Sequence, residues 1–334
     1  MTGGGPKVVA FGGGHGLSAS LSALRHVTEN LTAVVTVGDD GGSSGVIRSE
    51  LDVLPPGDLR MALATLAARD ERAQLWAEVC QYRFGGDATL AGHPVGNLLL
   101  TGLSEVTGDP VQALDLVGQL LGAVGRVLPL ATTPVDIVAD VAGLDPHDPR
   151  AVTEVRGQVA VATTPGRVVH VSLDPPSVLA CPRAVEAVLD ADWIVFGPGS
   201  WFTSVIPHLL VPDMMTAVQA SHARRLVTLN MSAQSGETEG FSPETHLEVL
   251  AAHAPDLRVD VVLAARRALD AGHEPLEAAA RHLGAELIVA HLGNDRAVPA
   301  HDPARLAAAY RSIIAPAGSP VAATTDTEGN SAWR

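Results

Sequence analysis

Hydrophobic and polar positions change period several times along the chain, and each change marks an element. Lys7 to Phe11 (KVVAF) is a short β-branched run that ends in glycines, and Leu17 to Val27 then carries apolar residues at helical spacing. LTAVVTVG follows as an unbroken apolar run ending at Asp39 and Asp40. Strands buried on both faces read this way, so the first 40 residues predict a βαβ unit with a parallel, right-handed crossover. From Gly57 to about Gly122 the period is helical, punctuated by Asp58, Ala91 to Pro94 and Asp109-Pro110. Between Val127 and about Pro176 it becomes short alternating runs (VDIVADV, EVRGQVAVAT, RVVHVSL) separated by the turn residues of LDPHDP and TPG. That pattern predicts a small antiparallel β insert. Buried strands resume at ADWIVFG, RRLVTLN, RVDVVLA and AELIVA, with PHLLVPDMMTAVQAS, PETHLEVLAAHA and PARLAAAYRSII as helices between or after them. The expected fold is α/β: a Rossmann-like, doubly wound, mainly parallel sheet with helices on both faces. One domain over residues 1–315, with the insert at about 127–176, is the simplest partition. Residues 316–334 have little to bury and read as a disordered tail.

Charge narrows the partners. Lys and Arg number 22 against 37 Asp and Glu, a net charge of −15. Such acidity argues against nucleic acid and anionic membrane surfaces, which are bound through a surplus of cations. Lys7 is the only lysine, which leaves Schiff-base chemistry one unpromising candidate. A phosphate on this chain is therefore held mainly by backbone N–H groups and helix N-termini, with Arg48 and Arg60 as the main side-chain charges in reach. Cys80 and Cys181 form no CxxC and no disulfide framework, and read as two inert thiols in a reducing compartment. The 13 histidines contain no HExxH pair. With no basic-then-apolar leader and no apolar run of membrane-spanning length, the chain reads as cytoplasmic, without membrane insertion.

Glycine-bearing loops after strands carry the candidate chemistry. GGGHGLS (Gly12, Gly13, Gly14, His15, Gly16) follows the first strand and opens the first helix, where glycine lets the backbone approach a phosphate. Gly14 to Ala19 fits the GxGxxA variant of the dinucleotide fingerprint, and Asp39 lies 23 positions beyond Gly16, near where an acidic residue grips ribose hydroxyls. In TVGDDGGSSGVIR, adjacent Asp39 and Asp40 point to different sides, so one faces a ligand while the other serves a cap, a magnesium ion or the loop. Ser43, Ser44 and Arg48 follow; an Asx turn with an N-cap is the bland alternative. LPPGDLR places Asp58 at an N-cap-like position and Arg60 in a first helical turn, against the helix dipole. GHPVGNLLL offers His93 and Asn97. FGPGSWFTS repeats the opening logic with Gly197, Gly199, Ser200 and Thr203 as a second anion or ribose cradle. NMSAQSGET adds Asn230, Gln234 and Thr238. In a doubly wound sheet these loops share one edge and converge on one crevice. No GxSxG elbow and no P-loop occurs, so a ligand crevice is more legible than a catalyst.

At GGGHGLS, VTVGDDGGSSG, LPPGDLR, GHPVGNLLL, FGPGSWFTSVIPHLL and NMSAQSGET, in this order, the chain resembles the YvcK-like family of gluconeogenesis factors over roughly residues 6–315. That family belongs to a CofD-like superfamily with a Rossmann-like core, whose enzymatic branch transfers a 2-phospholactyl group to a deazaflavin. The resemblance implies a cytoplasmic protein needed for normal growth and cell shape on gluconeogenic carbon sources and linked to cell-wall (peptidoglycan) synthesis. It also implies binding of UDP-sugars such as UDP-N-acetylglucosamine and, for some members, phosphorylation by a Ser/Thr kinase. Thr324, Thr325 and Thr327 in the tail are candidate acceptors. Carried over by motif, Gly12 to Gly16, Asp39, Ser43, Ser44, Asn97 and Gly197 to Ser200 line the nucleotide site. The chain departs from many relatives at Pro94, where they carry Ser.

Three functions compete. The first is a nucleotide-sugar-binding regulator that engages cell-wall synthesis proteins. The second is a phospholactyl-type transferase with Asp39 or Asp40 holding magnesium. The third, resting on GxGxxA and Asp39 alone, is a nicotinamide-dependent oxidoreductase. Homo-oligomerisation is left open.

Overall fold

The computed structural model describes residues 5–234, 236–269, 273–294 and 300–315. The expected tail, with its three threonines, lies outside the described residues. Among the described residues there are ten strands: β1 (Val8–Gly12), β2 (Leu31–Val35), β3 (Arg126–Pro129), β4 (Asp136–Ala142), β5 (Val152–Arg156), β6 (Arg167–Asp174), β7 (Trp193–Phe196), β8 (Arg224–Thr228), β9 (Val261–Ala265) and β10 (Glu286–Ala290). Seven form a parallel sheet in the order β10-β9-β8-β7-β1-β2-β3, and three form an antiparallel sheet, β5-β4-β6. The doubly wound class read from the sequence is the observed one.

Strand pleat explains the apolar runs. Val9 and Phe11 of β1 and Val34 of β2 point into one core, while Val8 and Ala10 of β1 and Ala33 and Val35 of β2 point into the other. Helices Gly14–Leu24, Pro56–Leu66 and Pro303–Ile314 supply the apolar side chains of the second core. Helices Pro182–Leu189, Pro212–Ala220, Pro243–His253 and Glu274–His282 cover the first. Burying both faces leaves only the strand ends free for chemistry. Because β2 leaves β1 on one side and β7 joins it on the other, the chain reverses direction across the sheet at β1/β7. In open α/β sheets that reversal opens a crevice at the strand C-termini.

Three boundaries differ from expectation. Val127 belongs to β3, an edge strand of the parallel sheet paired with β2, so the antiparallel insert proper begins at β4. The second half of EVRGQVAVAT is a short helix, Gln158–Ala162, because Gly157 at φ 98° ends β5 and Val159 N–H finds an acceptor in Asp40. The first helix starts at Gly14, inside the glycine loop, three residues before its apolar periodicity begins.

Candidate functional site

A cavity of about 510 Å³ opens at the β1/β7 crevice, and the first glycine loop forms its floor. Gly14, at φ 53°, turns the chain from β1 into the helix Gly14–Leu24. A side chain at Gly13 would sit 2.6 Å from Asp58 Oδ2 and 2.7 Å from Thr36 Oγ1, and one at Gly16 would sit 2.8 Å from the Gly199 nitrogen. The two glycine loops thus touch backbone to backbone, an approach only glycine permits. Helices Glu71–Gln81, Pro110–Leu120, Pro243–His253 and Pro303–Ile314 all begin under a side-chain cap from Asp70, Asp109, Ser242 or Asp302. Helix Gly14–Leu24 has no side-chain cap and no acidic residue in its first turn. Asp58 accepts the Gly14 N–H, while Gly14, His15 and Gly16 at the positive dipole end line the cavity, where an anion would be favoured.

The opposite wall comes from the loops after β7 and β8. Asn230 clamps Gly199 twice, its Oδ1 accepting the Gly199 N–H at 2.9 Å and its Nδ2 donating to the Gly199 carbonyl at 2.8 Å. Gln234 Nε2 lies 3.4 Å from Ser200 Oγ, and Thr238 Oγ1 accepts the Gln234 N–H at 2.9 Å, closing the β8 loop. In the π-helical turn Trp201–Val205 that starts here, two amides are closed to a ligand. Buried Glu237 accepts the N–H groups of Phe202 (2.7 Å) and Thr203 (2.9 Å) through Oε1. Burial pushes its carboxyl above the ordinary range, and the surrounding N–H and hydroxyl groups of Ser200, Phe202 and Thr203 pull it part of the way back. In the second cradle expected from FGPGSWFTS, the Thr203 amide is taken by the protein's own carboxylate, while Gly199 and Ser200 line the cavity.

Asp58 is the acidic group on the cavity wall. Burial, and then the negative charge of Asp39, push its carboxyl up to about 7; the Gly14 amide and Arg60 oppose that rise. Asp39 closes an Asx turn, its Oδ1 accepting Gly41 N–H at 3.0 Å. The two adjacent aspartates do diverge: Asp40 turns to the insert and accepts Val159 N–H at 2.9 Å. Ser44 Oγ accepts the Gly57 N–H at 3.0 Å and so starts the helix Pro56–Leu66. Ser43 Oγ receives Asn97 Nδ2 (3.0 Å) and pairs with His93 Nδ1 (2.9 Å), and Asn97 Oδ1 accepts buried Arg60 Nε at 2.8 Å. Arg48 is bound to Asp136 of the insert at 2.6 Å.

Of the residues singled out by sequence, Gly13, Gly14, His15, Gly16, Asp58, Gly199, Ser200, Asn230 and Gln234 line the cavity. Gly12, Gly197 and Thr203 stand behind it. Asp39 reaches it through its charge on Asp58. Asp40, Ser43, Ser44, Arg48, Arg60, His93 and Asn97 form the struts that join the loop after β2 to its neighbours. Both arginines expected to face a phosphate are thereby engaged elsewhere, and among the described residues the cavity wall holds no lysine or arginine.

Ser204, which the sequence places with Ser200 and Thr203 at the start of the turn after β7, also lines the cavity; sequence reasoning missed Gln158, Met231, Ser232 and His301 on that wall. Met231 and Ser232 adjoin Asn230, so adjacency was a usable signal. Gln158 arrives from the insert and His301 from the segment before the last helix, neither with a motif of its own. Burial pushes the His301 imidazole down to about 4, and it is neutral at physiological pH. Cys80 and Cys181 are buried, free thiols raised by desolvation, in keeping with inert roles. Among the described residues, no group of three or more His, Cys, Asp or Glu is placed to hold a metal ion, and no helix is long and apolar enough to cross a membrane.

A doubly wound parallel sheet with a glycine-loop crevice at its switch point and a small antiparallel insert defines a Rossmann-like α/β protein. Residues 8–292 match the family model described as 2-phospho-L-lactate transferase CofD, and the chain belongs to that family, within its YvcK-like gluconeogenesis-factor branch. It is 52% identical, over 98% of its length and 99% of the relative's, to a Mycobacterium tuberculosis protein named "Putative gluconeogenesis factor". A Listeria innocua protein named "Gluconeogenesis factor" is 38% identical over 77% of each chain. A crystal structure of a UPF0052-family protein from Bacillus halodurans superposes with a TM-score of 0.81 at 32% identity, covering 91% of this chain and 98% of the other.

Proposed function

We propose that the chain is a cytoplasmic nucleotide-sugar-binding regulator, with a UDP-N-acetylglucosamine-like ligand, that ties cell-wall synthesis and cell shape to growth on gluconeogenic carbon. The observation that carries this reading is the N-terminus of helix Gly14–Leu24, whose Gly14, His15 and Gly16 line the 510 Å³ cavity. A diphosphate sits against those N–H groups, and Ser200, Asn230, Gln234 and Gln158 offer neutral hydrogen-bonding groups for sugar and base. The names of the relatives support the gluconeogenic context. Cell-wall synthesis proteins and a Ser/Thr kinase are the partners this role calls for. Titration calorimetry with UDP-N-acetylglucosamine tests it: saturable binding is expected, weakened at least tenfold in Gly14→Ala, whose φ of 53° a Cβ strains. Absence of heat with any UDP-sugar overturns it.

One observation favours a second reading, the CofD-type transferase. Asp58, pushed up to about 7 inside the crevice, is poised as a general base near neutral pH. Of Asp39 and Asp40, Asp39 is the one that would hold magnesium beside that base, since Asp40 is spent on Val159. Incubation with a deazaflavin acceptor, an activated phospholactate donor and magnesium decides it: product that disappears in Asp58→Asn supports transfer, and no product across divalent metals excludes it.

A further inference from the structure

The cavity does not end at β8. A second hollow of about 310 Å³ shares Asn230, Met231 and Ser232 with it, and a third of about 410 Å³ shares Met231 and Arg267 with the second. Together they make one trench along the C-terminal edge of the sheet, from the first glycine loop to the ends of β9 and β10. At its far end stand Arg266, Arg267 and His291, all exposed. A side chain at Gly293 would lie 2.7 Å from Met231 Cε, so this glycine leaves room for Met231, while Arg267 Cδ lies at ordinary contact distance, 3.9 Å. Arg48 and Arg60, by contrast, are bound to Asp136 and Asn97. Among the described residues neither Arg266 nor Arg267 makes a hydrogen bond or ion pair.

Arg266 and Arg267 bring two exposed guanidinium groups to one strand-end hollow in a chain of net charge −15. Guanidinium matches a carboxylate in geometry as well as charge, binding it through two parallel N–H donors. We propose that this end of the trench is an anion subsite, and that it takes a carboxylate carried on the sugar of a nucleotide sugar whose diphosphate rests at the first glycine loop. The proposal rests on the nucleotide-sugar reading above and adds to it the class of sugar. The spacing fits: β1 to β9 is three strand steps, about 14 Å, and the arginine side chains reach back across part of that distance toward a sugar extending from the diphosphate.

UDP-glucuronic acid and UDP-glucose differ only at C6, carboxylate against hydroxymethyl, and calorimetry with the pair is the test. Wild type is expected to bind the acid about tenfold more tightly at low salt, and the Arg266→Ala/Arg267→Ala double variant to lose that preference, the loss falling on the acid. Equal affinity of wild type for both, or a loss in the variant that falls equally on both, overturns the subsite and leaves nucleotide-sugar binding standing. Binding of neither by wild type overturns the nucleotide-sugar reading and the subsite with it.

Discussion

The loops after β1 and β7 are built alike and end differently. Each leaves a parallel strand through glycines and enters a helical turn, and the two touch at Gly16 and Gly199. The first has no cap from its own N-cap residue, gives only its Gly14 N–H to Asp58, and lines the cavity. The second receives Glu237, 34 residues beyond Thr203 in the chain, which takes the N–H groups of Phe202 and Thr203. Each turn thus meets a carboxylate, but Glu237 takes two N–H groups of its turn, whereas Asp58 takes the Gly14 amide and shares the cavity wall with His15 and Gly16.

The largest effect in breaking this pair is expected from Gly16→Ala. A Cβ there meets the Gly199 backbone, and forcing the loops apart costs about 3 kcal/mol, read by denaturant unfolding, with loss of nucleotide-sugar binding. Next is Glu237→Ala, which strips two buried N–H groups of their acceptor for about 2 kcal/mol and opens the second turn. Inorganic phosphate then raises the melting temperature of the variant more than that of wild type. An equal response in both shows that Glu237 is not a plug.

Asp58 sharpens the comparison through pH. Its native carboxyl is pushed from 3.8 up to about 7, so the native state holds the proton more tightly than the unfolded chain. The stability this contributes is full below about pH 4 and is lost as pH rises through 7, at up to about 1.4 kcal/mol per pH unit. Asp58→Asn flattens that window in unfolding titrations. In the same variant, binding of an anionic ligand no longer weakens as pH rises through 7. The smallest effect belongs to Arg48→Ala. Its ion pair with Asp136 is worth about 1 kcal/mol, and because it faces the insert, nucleotide-sugar affinity stays within about twofold by calorimetry.

Local pattern carried most of the fold. The apolar runs of β1, β2, β7 and β9 are buried on both sheet faces or nearly so, which makes them legible without knowledge of neighbours; β10, at the sheet edge, is only partly buried. The insert was legible where β4 and β6 alternate, but its Gln158–Ala162 helix was not, because that helix depends on Asp40, 119 residues from Val159. The site divides the same way. Glycine loops announce themselves, and nine of the residues they suggested line the cavity. What sequence could not show was which polar groups are spent on one another. Ser43, Asn97, His93 and Arg60 look like ligand contacts in isolation and are a strut once folded. Glu237 was invisible for the converse reason: nothing in NMSAQSGET tells that its glutamate crosses to cap a distant turn.

The most direct measurement is a crystal structure with UDP-N-acetylglucosamine bound. The diphosphate is expected within hydrogen-bond distance of the backbone N–H groups of His15 and Gly16, with Glu237 still holding Phe202 and Thr203. A diphosphate seated on the β7 turn with Glu237 displaced, or one bound outside the trench, would contradict the distinction drawn between the two loops.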